Sequence, residues 1–190
     1  MPKQRITKEI VVDAAFEIAR KDGMEQVMVK NIAGKIGCSV QPIYSYCKNM
    51  EGLREDVTEK TGEFIKEYII NHIDEEDLFR STGKAYIQLA EEEPHLFRIF
   101  VLHQRKGISS LEDLYQTEAN PQMAKSIADE LHISESQAKK LHLNMLIFTI
   151  GIGTIFSVTT PGISISEIYE QQEMTYRAFL SQMKENGEWV

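Results

Sequence analysis

The chain has 190 residues, 42% of them hydrophobic and 26% charged, which excludes a largely disordered polymer and leaves room for a buried core. Its formal net charge of −8 hides a split: residues 1–50 hold eight Lys/Arg against five Asp/Glu (+3), the remainder thirteen against twenty-four (−11). Phosphate affinity depends on the local basic face, so the total does not exclude a nucleic-acid partner.

Apolar residues recur at three- and four-residue spacing with no sustained alternation, which predicts an all-α chain. Ile6, Ile10, Ala14 and Ile18, with Val11 and Ala15 beside them, form a first helical stripe that Thr7 caps and Gly23 ends. Val29, Ile32, Ala33 and Ile36 line a helix of about two turns that stops at Gly37. Ser39 is placed to cap a second short helix with Pro42 in its first turn. A longer helix is expected from about Met50 to Ile73, another from Glu75 to Glu93, and a restart at Pro94. Residues 105–120 lack clear periodicity and read as a mobile connection, with room for a short helical turn. Residues 121–131 form a further helix, and Ser134 with Gln137 makes a capping box before the apolar run 141–158. Residues 167–184 close the series, with Tyr169, Gln172, Tyr176, Phe179 and Met183 spaced as in a bundle seam.

Two short helices joined by a glycine turn at 28–47 have the build of a helix-turn-helix, whose second helix reads the major groove. Ile32, Ala33, Ile36, Cys38 and Ile43 form its inner side; Val40, Gln41, Ser45 and Tyr46, followed by Lys48, form the outer one. Gln can bond adenine edges, Val can touch a thymine methyl, and Tyr, Ser and Lys suit phosphate oxygens. The stretch IAGKIGCSVQPIYSYCKNMEGL resembles the TetR-family signature: Ile32, Ala33, Gly37, Ser39, Tyr44, Lys48, Asn49 and Leu53 fall on its positions, and the match runs over about residues 5–65. Met28, Cys47 and Met50 depart from the family's usual Thr, Phe and Lys.

The resemblance implies a DNA-binding domain over 1–50 and a helical effector-binding and dimerising domain over 51–190. DNA contacts are then expected from Lys30, Ser39, Val40, Gln41, Tyr44, Ser45, Tyr46, Lys48 and Asn49, with Lys3, Arg5 and Lys8 weighed as a basic arm against plain solvated charge. An effector pocket between the middle and penultimate helices would draw on Phe64, Tyr68, Tyr86, Phe97, Phe100, His103, Asn144, Met145, Phe148 and Thr149. A dimer interface from the last two helices would use Thr149, Gly153 and Ser157, a small-residue face, with Tyr169, Gln172, Tyr176, Phe179 and Met183.

The expected function is a homodimeric cytoplasmic regulator, a repressor released from a palindromic operator in double-stranded DNA by a small molecule. The alternative is a helical small-molecule binder of the same fold with weakened or lost DNA binding. No cofactor or metal is expected: the five histidines lack metal-ligand spacing, and Cys38 and Cys47 read as small core residues. No nucleophile–base pair or phosphate loop points to an enzyme. The run 141–158 approaches a membrane span in length, but His142 and Asn144 interrupt it and a buried central helix is expected instead. Glu91–Glu93 reads as a solvated helix end.

Overall fold

The computed structural model describes residues 6–46, 49–158 and 162–185, the side chains of Pro121 and Glu185 excepted. Among these residues the secondary structure is helical: α1 Lys8–Asp22, α2 Val29–Ile36, α3 Gln41–Tyr46, α4 Met50–His72, α5 Leu78–Glu92, α6 Pro94–Leu102, α7 Leu111–Glu118, α8 Pro121–Leu131, α9 Glu135–Val158 and α10 Ile165–Glu185, with short 3₁₀ turns before α2 and α5. The boundaries follow local chemistry. Thr7 Oγ1 accepts from the Ile10 amide at 3.3 Å, and Gly23 and Gly37 leave α1 and α2 at φ +94° and +77°, where a side chain would be strained. Pro94 opens α6 in the first turn. The Ser134–Gln137 capping box closes reciprocally, at 2.6 and 3.3 Å, and the same device recurs at Ser164 and Glu167 before α10.

Three apolar clusters organise the packing. The first joins Val11, Ala15, Ile32, Ile43, Leu53 and Val57, all almost fully buried, and so clamps α1, α2, α3 and the start of α4 together. Each such aliphatic side chain contributes about 1.5–3 kcal/mol by leaving water. The second gathers Ile65, Ile87, Leu89, Phe97, Val101 and Phe156; the third gathers Phe79, Ile127, Leu141, Met145, Tyr176 and Met183. Helix α4 belongs to both of the first two, with Leu53 and Val57 in one and Ile65 in the other. Buried Thr61 lies between them and donates to the Val57 carbonyl at 2.8 Å, so the helix passes its polar group along without a cost.

A second bridge ties the N-terminal cluster to the rest. Arg20 on α1 holds Glu93, the residue before α6, through its Nε at 3.0 and 2.9 Å and through a further guanidinium nitrogen, and it lies 4.9 Å over the Phe64 ring. Ile99 of α6 packs against the first cluster. Of the acidic run at 91–93, Glu91 and Glu92 are exposed as a solvated end requires, Glu92 accepting from Tyr68 and Gln88, both at 2.7 Å, whereas Glu93 is half-buried and tied to Arg20.

Two elements differ from the sequence reading. Residues 105–120 are not a plain connection: α7 forms within them, capped by Ser110 and anchored by buried Tyr115, whose isolated aromatic gives no periodic signal in an eight-residue helix. Helix α5 begins at Leu78, after a 3₁₀ turn at Glu75–Asp77 that Asp74 caps. Helix α9 is long and apolar enough to span a membrane by length and composition, yet it packs against α5, α6, α8 and α10, and Ala138, Leu141, Met145, Gly153 and Phe156 are buried within the chain.

Candidate nucleic-acid interface and inner cavity

The turn between α2 and α3 is built so that one side of α3 is spent on the core and the other is left bare. Ile43 has no solvent exposure, while Gln41, Tyr44, Ser45 and Tyr46 are exposed and Val40, just before the helix, is exposed as well. Tyr44 leaves 61% of its surface in water, and with exposed Val40 and Tyr46 near it the group is more than a single stray apolar residue. Ser45 donates back to the Gln41 carbonyl at 3.3 Å, a long bond that its rotatable hydroxyl can exchange for a phosphate oxygen acceptor.

Ser39, expected to cap α3, stands one residue before the observed cap position, because Val40 is the residue whose carbonyl accepts from the Ile43 and Tyr44 amides. It is exposed, as is Lys30 on α2. The α2 start at Met28 has no side-chain cap, as its departure from Thr implies. Asn49 caps α4 by accepting from the Gly52 amide at 2.7 Å, so its oxygen serves the helix and only its amide nitrogen faces out. Lys48 and Cys47 lie outside the described residues, as do Lys3 and Arg5 of the basic arm. Lys8 pairs with Asp56 at 2.8 Å. Met50 packs on the first cluster rather than presenting a polar tip, and Cys38 is half-buried beside it.

Behind this head, a cavity with about 60 Å³ of free space lies between α5, α8, α9 and α10. Of the predicted effector residues, Tyr86, Met145 and Thr149 line it. Phe64, Tyr68, Phe97 and Phe100 instead fill the second cluster, where Tyr86 stacks on Phe100 at 6.2 Å, and Phe148 packs in the third. Asn144 is half-buried on α9 but does not line the cavity. His103 ends α6, its Nδ1 beside the Phe100 carbonyl, and borders an open groove between α4 and α6. With aromatic rings on α4, α5, α6 and α9 alike, spacing alone cannot separate a cavity wall from solid packing.

The cavity has members that sequence reasoning missed: Phe79, Arg80, Gly83 and Lys84 on α5, Met123 on α8, and His142 and Leu146 on α9. Gly83 was a usable signal, since glycine inside a helix costs about 1 kcal/mol relative to alanine and so points to a close approach. His142 lies edge-on to Phe79 and Tyr115, with its Nδ1 3.0 Å from the Tyr115 hydroxyl. Burial pushes its imidazole down to about 4, so the ring is neutral at ordinary pH.

Most of the residues expected at a dimer seam lie inside the chain. Thr149, Gly153, Ser157, Gln172, Tyr176 and Met183 are buried inside the chain itself, Tyr176 against Phe79 and Gly153 against Phe97. Tyr169 and Phe179 are half-buried, packed on the second and third clusters. The outward side of α9 is instead Ile147, Gly151, Ile155 and Val158, with Ile155 58% and Val158 61% exposed, and α10 adds Met174 at 55%.

No family model matches the chain, and no curated protein matches it in sequence. Solved structures do share its fold. A TetR-like transcriptional regulator from Rhodococcus sp. RHA1 superposes with a TM-score of 0.64 at 10% identity, covering 95% of this chain and 99% of that one. A TetR-family transcriptional regulator from Haemophilus influenzae RD superposes with a TM-score of 0.54 at 20% identity, covering 90% and 94%. The fold of the chain is the all-α, TetR-like one.

Proposed function

We propose that this chain is a dimeric, sequence-specific DNA-binding regulator acting in the cytoplasm, divided near residue 50 into a reading head and an effector-binding, dimerising body. The observation that carries the reading is α3: its inner residue Ile43 is fully buried while Val40, Gln41, Tyr44, Ser45 and Tyr46 stand in water together. Val40 and Gln41 have the chemistry of base edges, Tyr44, Ser45 and Tyr46 that of phosphates, and Lys30 and Lys48 add charge. The backbone amides at the start of α4 can hold a further phosphate beside Asn49.

A palindromic operator needs two heads about 34–36 Å apart, hence two copies of the chain. The uncharged stripe Ile147, Gly151, Ile155 and Val158 on α9 is the surface we assign to that contact. Gly151, where an added Cβ would meet nothing within 4 Å, lets a partner helix come close. Repression would be relieved when a ligand in the inner cavity shifts α5 and α9, a displacement that α4, α6 and the Arg20–Glu93 pair pass to the head.

The test is fluorescence anisotropy with a duplex from upstream of the protein's own gene against a scrambled duplex, over a salt series. Specific binding is expected to weaken linearly on a log–log salt plot, as phosphate contacts demand. Equal affinity for both duplexes at every salt would overturn the reading. It would favour a ligand-binding protein of the same fold with lost DNA binding, a second reading prompted by Met50, whose side chain packs inward, and by Glu51 in the first turn of α4.

A further inference from the structure

One wall of the inner cavity is polar in a way that the packing does not require. Gln172 of α10 is 6% exposed, and its amide nitrogen makes a single long bond, 3.5 Å, to Thr149 Oγ1 on α9. Among the described residues this amide forms no other hydrogen bond, and because no fully buried side-chain oxygen there lacks a partner, its oxygen reaches accessible space at the cavity that Gln172 lines. Gly83 of α5 faces it, and a Cβ at that position would overlap the Gln172 amide nitrogen. A glycine in the interior of α5 thus keeps open the space in which the amide stands.

We propose that this cavity takes an uncharged ligand about the size of one ring, bearing a paired donor and acceptor such as a primary amide or lactam, held by Gln172 and Thr149. Charge supports the choice. The Arg80 guanidinium is already held by Asp77 at 2.9 Å and by Glu173 at 3.3 Å, and Lys84 is exposed with its ammonium 6.0 Å over the Tyr169 ring. The inner wall, including His142 bonded to Tyr115, is neutral. Arg80 and Glu173 are thus paired with each other and Lys84 stands at the exposed rim, so a charged group seated against Gln172 and Thr149 would be desolvated without a counter-ion of its own. Size supports it too: about 60 Å³ of free space holds roughly four to six water molecules at ~10–15 Å³ each, close to the bulk of a six-membered ring. Met123 and Met145, unbranched and adaptable, can shape themselves to such a guest.

The proposal rests on the regulator reading only for the consequence of binding, and one experiment separates the two. The full chain is labelled with ¹³C at its methionine methyls and titrated with benzamide, benzoate and benzamidine, matched in size and differing in charge. Saturable shifts of the Met123 and Met145 signals are expected with benzamide alone, each signal identified by its Met→Leu variant. Gln172→Leu is expected to weaken benzamide at least tenfold, and Gln172→Glu to turn the preference toward benzamidine, with the remaining methionine signals unchanged as a check on folding. Benzoate or benzamidine binding the unaltered protein as tightly as benzamide would overturn the proposal. So would an absence of shifts at millimolar benzamide, or an unchanged preference in Gln172→Glu. DNA anisotropy is read in the same samples: methionine shifts without a change in DNA affinity support the ligand class and refute release by ligand.

Discussion

Two glycines on α9, separated by one residue, are expected to respond oppositely to the same added methyl group. At Gly151 a Cβ meets nothing within 4 Å; at Gly153 it stands 2.5 Å from Cζ of Phe97, a ring that is 1% exposed and held by the second cluster. Replacing glycine by alanine in a helix is worth about 1 kcal/mol of propensity, a gain common to both sites. Overpacking a buried ring costs about 1–3 kcal/mol. Gly151→Ala is therefore expected to stabilise by up to about 1 kcal/mol. Gly153→Ala should lie about 1–3 kcal/mol below it, since the propensity gain cancels in the comparison. In a chain of this length each kcal/mol moves Tm by about 2–4 °C, so the two variants should melt at least about 2 °C apart. Urea and thermal unfolding at two protein concentrations is the assay, because any effect of Gly151 on self-association then appears as a concentration dependence. Equal stability of the two variants would refute the inward placement of Gly153, and a loss of dimer with Gly153→Ala alone would restore it to the interface.

Three further outcomes follow from the same surfaces. Ile147→Lys with Ile155→Lys is expected to yield a folded monomer by analytical ultracentrifugation, because two charges would be buried without partners in any α9–α9 contact. Tyr44→Ala should weaken all duplexes nearly uniformly and lower the salt slope little, whereas Gln41→Ala should change preference between operator variants by about 1–3 kcal/mol at one position, both read by anisotropy. Stability should also fall on mild acidification. His142 is held down to about 4 in the folded chain against 6.5 when unfolded, so from pH 6.5 toward 4 only the unfolded chain gains the proton. At 1.36 kcal/mol per unit this removes about 2–3 kcal/mol, and His142→Gln should flatten the urea midpoint over that window. The carboxylates of Glu92, Asp113 and Glu167, which hydrogen bonds hold below their ordinary range, lose their contribution only at lower pH.

The helices of the N-terminal cluster were legible because each of their features is local. Thr7, Gly23 and Gly37 act on backbone groups within a few residues, and Ile32, Ala33 and Ile43 share a helical period with their own neighbours. The cavity was legible only in part. Tyr86, Met145 and Thr149 were anticipated, but Arg80, Gly83, Met123 and His142 come from helices whose mutual rotation no local pattern specifies. Gln172 and Tyr176 were assigned to a neighbouring copy because their 3-4 spacing defines a face without saying what covers it.

Helix α9 marks the boundary between the two kinds of information. Its existence, its capped start at Ser134 and its central place were determined by the sequence, since a long apolar run with a capping box must be buried on much of its surface. Its rotation was not. A helix apolar on every side has no phase in its hydrophobic pattern, so residues 149, 153 and 157 and residues 147, 151 and 155 are equivalent candidates for the inside. Tertiary packing broke the tie: the Phe97 ring fills the notch at Gly153 and Gln172 reaches Thr149, which turns the first set inward and leaves Ile147 and Ile155 exposed.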